Sequence, residues 1–462
     1  MSTAHRCAAD SKKEGPVAKS LSPMTRRELV RRSSVAAAGL AAAPLLRGAQ
    51  PASAQGGVEL VFWDSLFIED EAIPIDKWFI TQAIARFQEA FPDIRINRVA
   101  QSSDIATYDQ ILQAANLASN GPDVLTHYAG GGILSFTKFL EPLDQYFSQE
   151  ERDQVTGWDS VREDFKPDGA IVAIPYGAGS YFEVLYNRDM MQQAGVDPDA
   201  QEWPATWEAL LELAQKVKDA GVNPFAIGEQ QGYTGAWVMA TLVGGQIGTE
   251  GFFGMRAGTV PINDPSMITG YEQYKQLFDR GFVNGGAGSL TNDEGQQLFV
   301  RGEGAMLVQG GWFNRAAVEA LGEKVGTFPI PTLADAPHAG AIAGGPNVSL
   351  GITSYSGHKP EAVEFLKFLL RPEILDLYVS LGQEEASNHK DADLSVIQNP
   401  LLRSQAEWLQ TRETIYPFDN IMPQVINDLF YRTNASVFTG RVSPEAAANE
   451  LQKEYQDFLA KQ

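Results

Sequence analysis

The sequence predicts an α/β protein of at least two domains, in which helices cover mainly parallel sheets. Three observations carry this. A chain of 462 residues is longer than one hydrophobic core ordinarily serves. Its apolar fraction of 44% is that of a globular protein. Strand-like and helix-like segments also alternate along most of its length.

Val58 to Trp63 is an apolar run suited to a buried strand. Ile80, Ala83, Ile84 and Phe87 then recur at helical spacing. Phe91-Pro92-Asp93 ends that helix, because the residue before a proline avoids helical geometry. Ile94 to Val99 reads as a second strand. A right-handed crossover of this kind implies a parallel pair. Further strands are expected at Asp123 to Thr126, Ala170 to Pro175 and Val184 to Tyr186. Trp207, Leu210, Leu211, Ala214 and Val217 share one helical face, with Thr206 as its cap. Pro360 opens a helix that buries Ala362, Phe365, Leu366 and Leu369, and Ser443-Pro444-Glu445 opens the last one. The Gly/Pro-rich stretches Pro175 to Ser180 and Pro329 to Pro346 are either surface loops or crossings between domains.

The N-terminus reads as an export signal. Arg26-Arg27 precedes a mild apolar stretch from Val35 to Leu46, and Ala52-Ser53-Ala54 offers a cleavage site. Twin arginines before a weakly apolar core are the pattern of a Tat signal. Met24 is a candidate start. Cys7, the one cysteine, lies in this leader without a lipobox context, so the remaining chain forms no disulfide. The leader holds nine of the 36 Lys/Arg and three of the 58 Asp/Glu, leaving 27 basic against 55 acidic residues. So acidic a chain argues against nucleic acid and anionic membrane as partners.

Catalytic signatures are missing. His127, His338, His358 and His389 have no metal-ligand spacing, and no nucleophile elbow, zinc-protease helix or phosphate-binding lysine loop is present. Neither catalytic residues, metal nor cofactor are expected. Aromatic residues at strand ends carry more information, since ligands of open α/β sheets bind beyond the carboxyl ends of strands. Trp63-Asp64, His127-Tyr128 and Tyr176 fall there. Rings beside polar groups suit carbohydrate, while each ring taken singly also suits a core.

Several segments are similar, in order, to those of the family 1 bacterial extracellular solute-binding proteins. They are Val58–Trp63, Phe87–Pro92, Gly121-Pro122-Asp123-Val124, Ile174–Tyr176 with Leu185–Asp189, and Trp203-Pro204-Ala205-Thr206-Trp207-Glu208. Later come Phe299–Met306 through Trp312, Phe328–Pro331, Gly344-Gly345-Pro346, and Thr439-Gly440 through Ser443–Ala447. The resemblance implies two lobes joined by hinge strands, with residues 55–175 and 328–380 in the first lobe and 176–327 and 381–462 in the second. Residues 1–54 are the signal and its extension. It implies a sugar-like ligand held between the lobes by Trp63, Asp64, His127, Tyr128, Tyr176, Ser180, Glu183, Gln230, Trp237, Trp312, Asn347 and Asp419. His127-Tyr128 replaces the tryptophan of maltose-binding members, which points away from maltodextrin. The implied partners are the membrane permease subunits of an ABC importer, and the implied state is a monomer in the periplasm or on the outer side of the cytoplasmic membrane. The alternatives are a polyamine, phosphate ester or peptide ligand on the same fold, or a secreted glycoside hydrolase.

Overall fold

The computed structural model describes residues 57–67, 74–102, 104–166, 168–199, 202–381 and 386–461; the twin-arginine leader lies outside them. Strand β1 (Val58–Asp64) opens the chain, with Leu60, Phe62 and Asp64 on its buried face, as a strand with period two requires. Helix α1 (Phe79–Ala90) buries Phe79, Ile80, Ala83 and Phe87 and ends before Pro92. Strand β2 (Ile94–Ala100), helix α2 (Ile105–Ala118), strand β3 (Val124–Tyr128) and the short helix α3 (Gly131–Leu134) follow. Asp123 stays out of β3. Its carboxylate instead accepts from the Val61 amide at 2.8 Å and the Ser356 hydroxyl at 2.6 Å.

The chain then forms β4 (Ile174–Tyr176) and β5 (Ser180–Asn187). Helix α4 (Trp207–Asp219) is capped by Thr206 and buries the five predicted side chains. Helix α5 (Tyr233–Ala257) is interrupted at Gly248, and α6 (Pro265–Asp279) packs against it. Strands β6 (Met306–Gly310), β7 (Val325–Pro329), β8 (Ile342–Gly345) and β9 (Val348–Ile352) come next. After them run α7 (Lys359–Leu369), α8 (Pro372–Ser380), α9 (Pro400–Thr411), β10 (Thr414–Ile415), α10 (Phe418–Ile421), α11 (Gln424–Phe438) and α12 (Pro444–Leu459).

Two sheets result, each with its own core. The first has the order β2-β1-β3-β9-β4 and the second β10-β8-β5-β6, with β7 also on β5. Phe62, Phe79, Phe87, Leu350 and Phe365 belong to the first core; Trp207, Leu242, Tyr271, Phe282 and Phe438 belong to the second. This is the expected α/β two-lobed class, but the pairing is mixed rather than mainly parallel. Only β2-β1-β3 and β10-β8 run parallel. Strands β4 and β9 meet their neighbours antiparallel, and β5 is antiparallel to β6, β7 and β8. The reason is connectivity. Strands β4, β5, β8 and β9 leave or re-enter a sheet at the junction instead of following a crossover helix, whereas β6 and β7 follow the helices Asn292–Val300 and Asn314–Leu321 and return antiparallel to β5.

The junction is also where the expected boundary at 328 fails. Phe328 pairs with Val184, and β8 pairs with β5, so the chain remains in the second sheet through Gly345. Pro346-Asn347 makes the return to β9. The outward passage runs over 177–179, where Gly179 has φ +72° and a Cβ would stand 1.8 Å from the Gly345 carbonyl oxygen. Only glycine fits where the two passages touch. A third passage follows Ser380; beyond it Asn388 donates to the carbonyls of Thr156 at 3.0 Å and Pro175 at 3.3 Å.

Candidate functional site

The carboxyl ends of β1 and β3 share one edge of the first sheet with the start of β9 and the end of β4, since Tyr128 and Tyr176 both pair with Val348. Trp63 is half-buried at that edge and Tyr128 is 39% exposed. Helix α3 leaves the same edge and meets α10 of the second lobe. A Cβ on Gly130, whose φ is +76°, would lie 2.2 Å from the Asn420 carbonyl oxygen. The first-lobe edge therefore faces the second lobe at α10, the segment that carries Asp419.

Four of the predicted ligand residues are committed to structure, three at this edge and Glu183 in the second sheet. Asp64 is 2% exposed. Its Oδ1 accepts from the amides of Leu66 at 3.1 Å and Phe67 at 3.0 Å and from the Thr126 hydroxyl at 3.2 Å; its Oδ2 takes the Arg98 guanidinium at 2.7 Å. His127 is buried, bonded to Asp109 at 2.8 Å and stacked on Tyr108. Tyr176 is buried among Phe67, Phe79 and Tyr378, with centroids 5.6–6.0 Å away. Glu183 is buried within β5 and accepts from the Thr327 hydroxyl. Strand ends alone do not separate a site from a core, because the same edge also packs the lobe interior.

The second lobe brings others together. Trp312 follows β6 and is 46% exposed; Trp237, on the first turns of α5, lies edge-on to it with centroids 5.2 Å apart. Both rings touch Phe182 of β5. A Cβ on Gly310 would strike the Trp312 ring at 2.1 Å, so the glycine leaves room for the indole. Tyr233, 38% exposed, lies one turn before Trp237 and stacks on it at 6.5 Å. Tyr431 of α11 meets Tyr233 at 5.1 Å, and its hydroxyl donates to Asp419 Oδ2 at 3.0 Å. A continuous path of rings thus joins Trp312 to Asp419. Gln230 is exposed beside it, its amide held by the Leu290 carbonyl at 2.9 Å. Ser180 is half-buried and Asn347 exposed at the two passages.

Asp419 is the unusual group. Its Oδ1 is buried without a hydrogen-bond partner among the described residues. Burial pushes its carboxyl above the ordinary carboxylate range, while the Tyr431 hydroxyl and neighbouring backbone amides pull it back. No cation is among the groups acting on it. An unpaired buried acceptor costs about 1–3 kcal/mol and is relieved by any donor that reaches it. Tyr233, Tyr431 and Phe182 were absent from the sequence reading. Tyr233 was reachable, being one helical turn from Trp237; Tyr431 was not, because it sits on a different helix.

The described residues contain no group of three or more His, Cys, Asp or Glu arranged to hold a metal, and no helix among them is long and apolar enough to cross a membrane.

Comparison with known proteins agrees with this two-sheet α/β fold. The chain belongs to the bacterial extracellular solute-binding proteins, whose family model matches residues 74–375. An uncharacterized ABC transporter extracellular-binding protein of Pyrococcus horikoshii is 24% identical over 53% of this chain, an alignment that spans only 56% of that relative's own length. An osmoprotective compounds-binding protein of Synechocystis is 22% identical over 81% of this chain and 89% of its own. A periplasmic sn-glycerol-3-phosphate-binding protein of Escherichia coli is 26% identical over 70% and 72%. Among solved structures, a chitin oligosaccharide binding protein superposes with a TM-score of 0.70 at 20% identity, covering 87% of this chain and 99% of its own. A "probable secreted solute-binding lipoprotein" of Streptomyces coelicolor gives 0.72 at 21%, covering 86% and 98%. At these identities the superpositions speak for the fold alone.

Proposed function

We propose that the protein captures an uncharged, hydroxyl-rich solute, a sugar or related polyol, between its lobes and delivers it to the membrane subunits of an ABC importer after twin-arginine export. The observation that carries this reading is the pairing of exposed rings at Trp312 and Tyr233 with the unsatisfied Asp419 carboxylate. Rings take the apolar face of a pyranose, and a carboxylate accepts from its hydroxyls. Trp63 and Tyr128 at the first-lobe edge, with Ser180, Gln230 and Asn347, are the proposed remaining contacts. Ligand touching both lobes favours their closed relation by the difference in its affinity for the two states.

Relatives named for sn-glycerol 3-phosphate raise a phosphate ester as a rival. A phosphate is an anion, and the Asp419 carboxylate at the site would repel it. Arg98, the cation at the first-lobe edge, is engaged by Asp64 and by the Phe67 carbonyl at 2.9 Å. A cationic solute is the second reading, because rings backed by a carboxylate also suit ammonium groups.

The test is mass spectrometry of solute released from the purified protein, followed by calorimetric titration with neutral oligosaccharides, sn-glycerol 3-phosphate and a polyamine. Saturable binding of a neutral saccharide supports the reading. Binding of the phosphate ester or the polyamine alone transfers the site to that class. Release of reducing sugar from an oligosaccharide would make the protein a hydrolase instead.

A further inference from the structure

Phe165 belongs by sequence to the first lobe and by packing to the second. The residues on either side of its loop, Val161 and Ile171, are in the first core. The loop is tied back there. Arg162 and Ile171 form a β-bridge, the Glu163 amide donates to Ala170 at 2.9 Å, and the Arg162 guanidinium donates to Gly169 at 2.9 Å. Its tip goes elsewhere. Phe165 is 4% exposed within the second core, its ring stacked on Phe253 of α5 at 5.1 Å and 24°. Three residues along the same helix, Arg256 has Nη1 buried without a hydrogen-bond partner among the described residues. Burial lowers the Arg256 pKa, and Tyr455 and Asp164 act in the opposite direction. The tip therefore meets α5 through the Phe165 ring, while the Asp164 carboxylate pairs with Lys166 at 2.9 Å and acts on Arg256 only through its charge.

The backbone is strained to reach it. Asp164 has φ +54° and Phe165 φ +53°. A bulky residue rarely adopts this left-handed geometry, and it persists only where surrounding contacts hold it. Glycine would occupy either position without strain, yet the chain places a phenylalanine at the tip.

We infer that Glu163–Phe165 is a latch: a first-lobe loop whose Phe165 ring plugs into the second lobe and biases the protein toward this relation of the lobes. Any change in that relation must either withdraw the ring from Phe253 or turn about it. The latch is separate from the ring-lined site, since Trp237 and Phe253 lie on opposite sides of the Gly248 interruption in α5. The inference holds whatever solute is bound.

The test measures the distance between spin labels on exposed Gln113 of α2 and exposed Glu272 of α6, in the full chain with Cys7→Ser. Phe165→Ala is expected to shift or broaden the distribution by more than about 2 Å, the scale of a domain rearrangement. Phe253→Ala, which removes the socket, should reproduce that shift. Asp164→Gly, which relieves strain in the latched form, should narrow the distribution. If Phe165→Ala does not fold, Phe165→Leu, which keeps an apolar plug without the stack, should give a smaller shift. A purely structural role would lower the melting temperature and leave the distances alone. Unchanged distributions in the folded variants would overturn the inference.

Discussion

Trp312 stands edge-on to Trp237, their planes at 64°, yet one ring is 46% exposed and the other 8%. The two indoles therefore have different work. Burial of Trp237 already stabilises the folded lobe, whereas the open face of Trp312 remains available to a ligand. Trp312→Ala should cost under about 1 kcal/mol of stability while weakening solute binding roughly tenfold, the value of one stacking contact. Trp237→Ala should cost about 3–5 kcal/mol of stability, as deletion of a core tryptophan does. Thermal denaturation read beside titration calorimetry separates them. Equal stability losses in the two variants would remove the distinction.

Among the described residues the Tyr431 hydroxyl is the one side-chain donor to the Asp419 carboxylate. Tyr431→Phe keeps the ring against Tyr233 and deletes that donor. It should cost about 1–3 kcal/mol, because both carboxylate oxygens then lack a side-chain partner. It should also raise the Asp419 pKa further, so that solute affinity gained from the ionised carboxylate appears at higher pH than in the parent. An unchanged pH profile of binding would separate Asp419 from the solute.

Glu229 is fully buried at the start of α5, where it accepts the Gly235 amide at 3.0 Å. Burial pushes its carboxyl from 4.5 up to about 8, against the lowering influence of the Gly235 amide and of nearby Tyr274 and Thr234. The folded protein thus binds a proton that the unfolded chain has released. The stability contributed by the protonated form is complete below pH 4.5 and lost as the pH rises to about 8. Glu229→Gln, a permanent mimic of the neutral acid, should flatten this slope and melt above the parent at pH 8. Parallel melting curves across that window would sink the assignment.

Among the described residues Arg98 is the one counter-charge paired with Asp64, at 2.7 Å, and the carboxylate side chain has no exposure. Arg98→Ala leaves a buried charge and should destabilise the first lobe by about 3–5 kcal/mol. Adding Asp64→Asn should restore part of that loss. Chemical denaturation of the single and double variants gives the coupling directly. Additive losses would mean the pair does not interact.

Much of the fold was readable because its signals are local. The face of α4, its Thr206 cap and the helix stop at Phe91-Pro92 depend on residues a few positions apart, and all appear in the structure. The strand directions were harder. Nothing near Val348 indicates that β9 inserts between β3 and β4, since the partners are 170 or more positions earlier in the chain. Reading Phe328 as first-lobe failed for a similar cause: β7 and β8 complete the second sheet by pairing with β5, a distant strand.

The site divides along the same line. Trp237 and Trp312 were recognisable from their motifs, and the structure brings them into contact. Tyr176, His127, Glu183 and Asp64 occupied plausible positions, but burial and prior hydrogen bonds decide their roles, and neither is written in a strand-end pattern. Phe165 is the sharpest case. Its neighbours in sequence belong to one core and its ring to the other, which no window of sequence shows.

The place of β9 also bears on how the polypeptide is made. Among the described residues strand β4 pairs only with β9, and β9 ends at Ile352. A nascent chain emerging from the ribosome therefore carries an unfinished first sheet through synthesis of β5 to β8. The two halves cannot mature one after the other from the N-terminus, and closing so long a loop makes assembly slow. A gene fusion that exchanged one lobe for a relative's would have to splice at every passage.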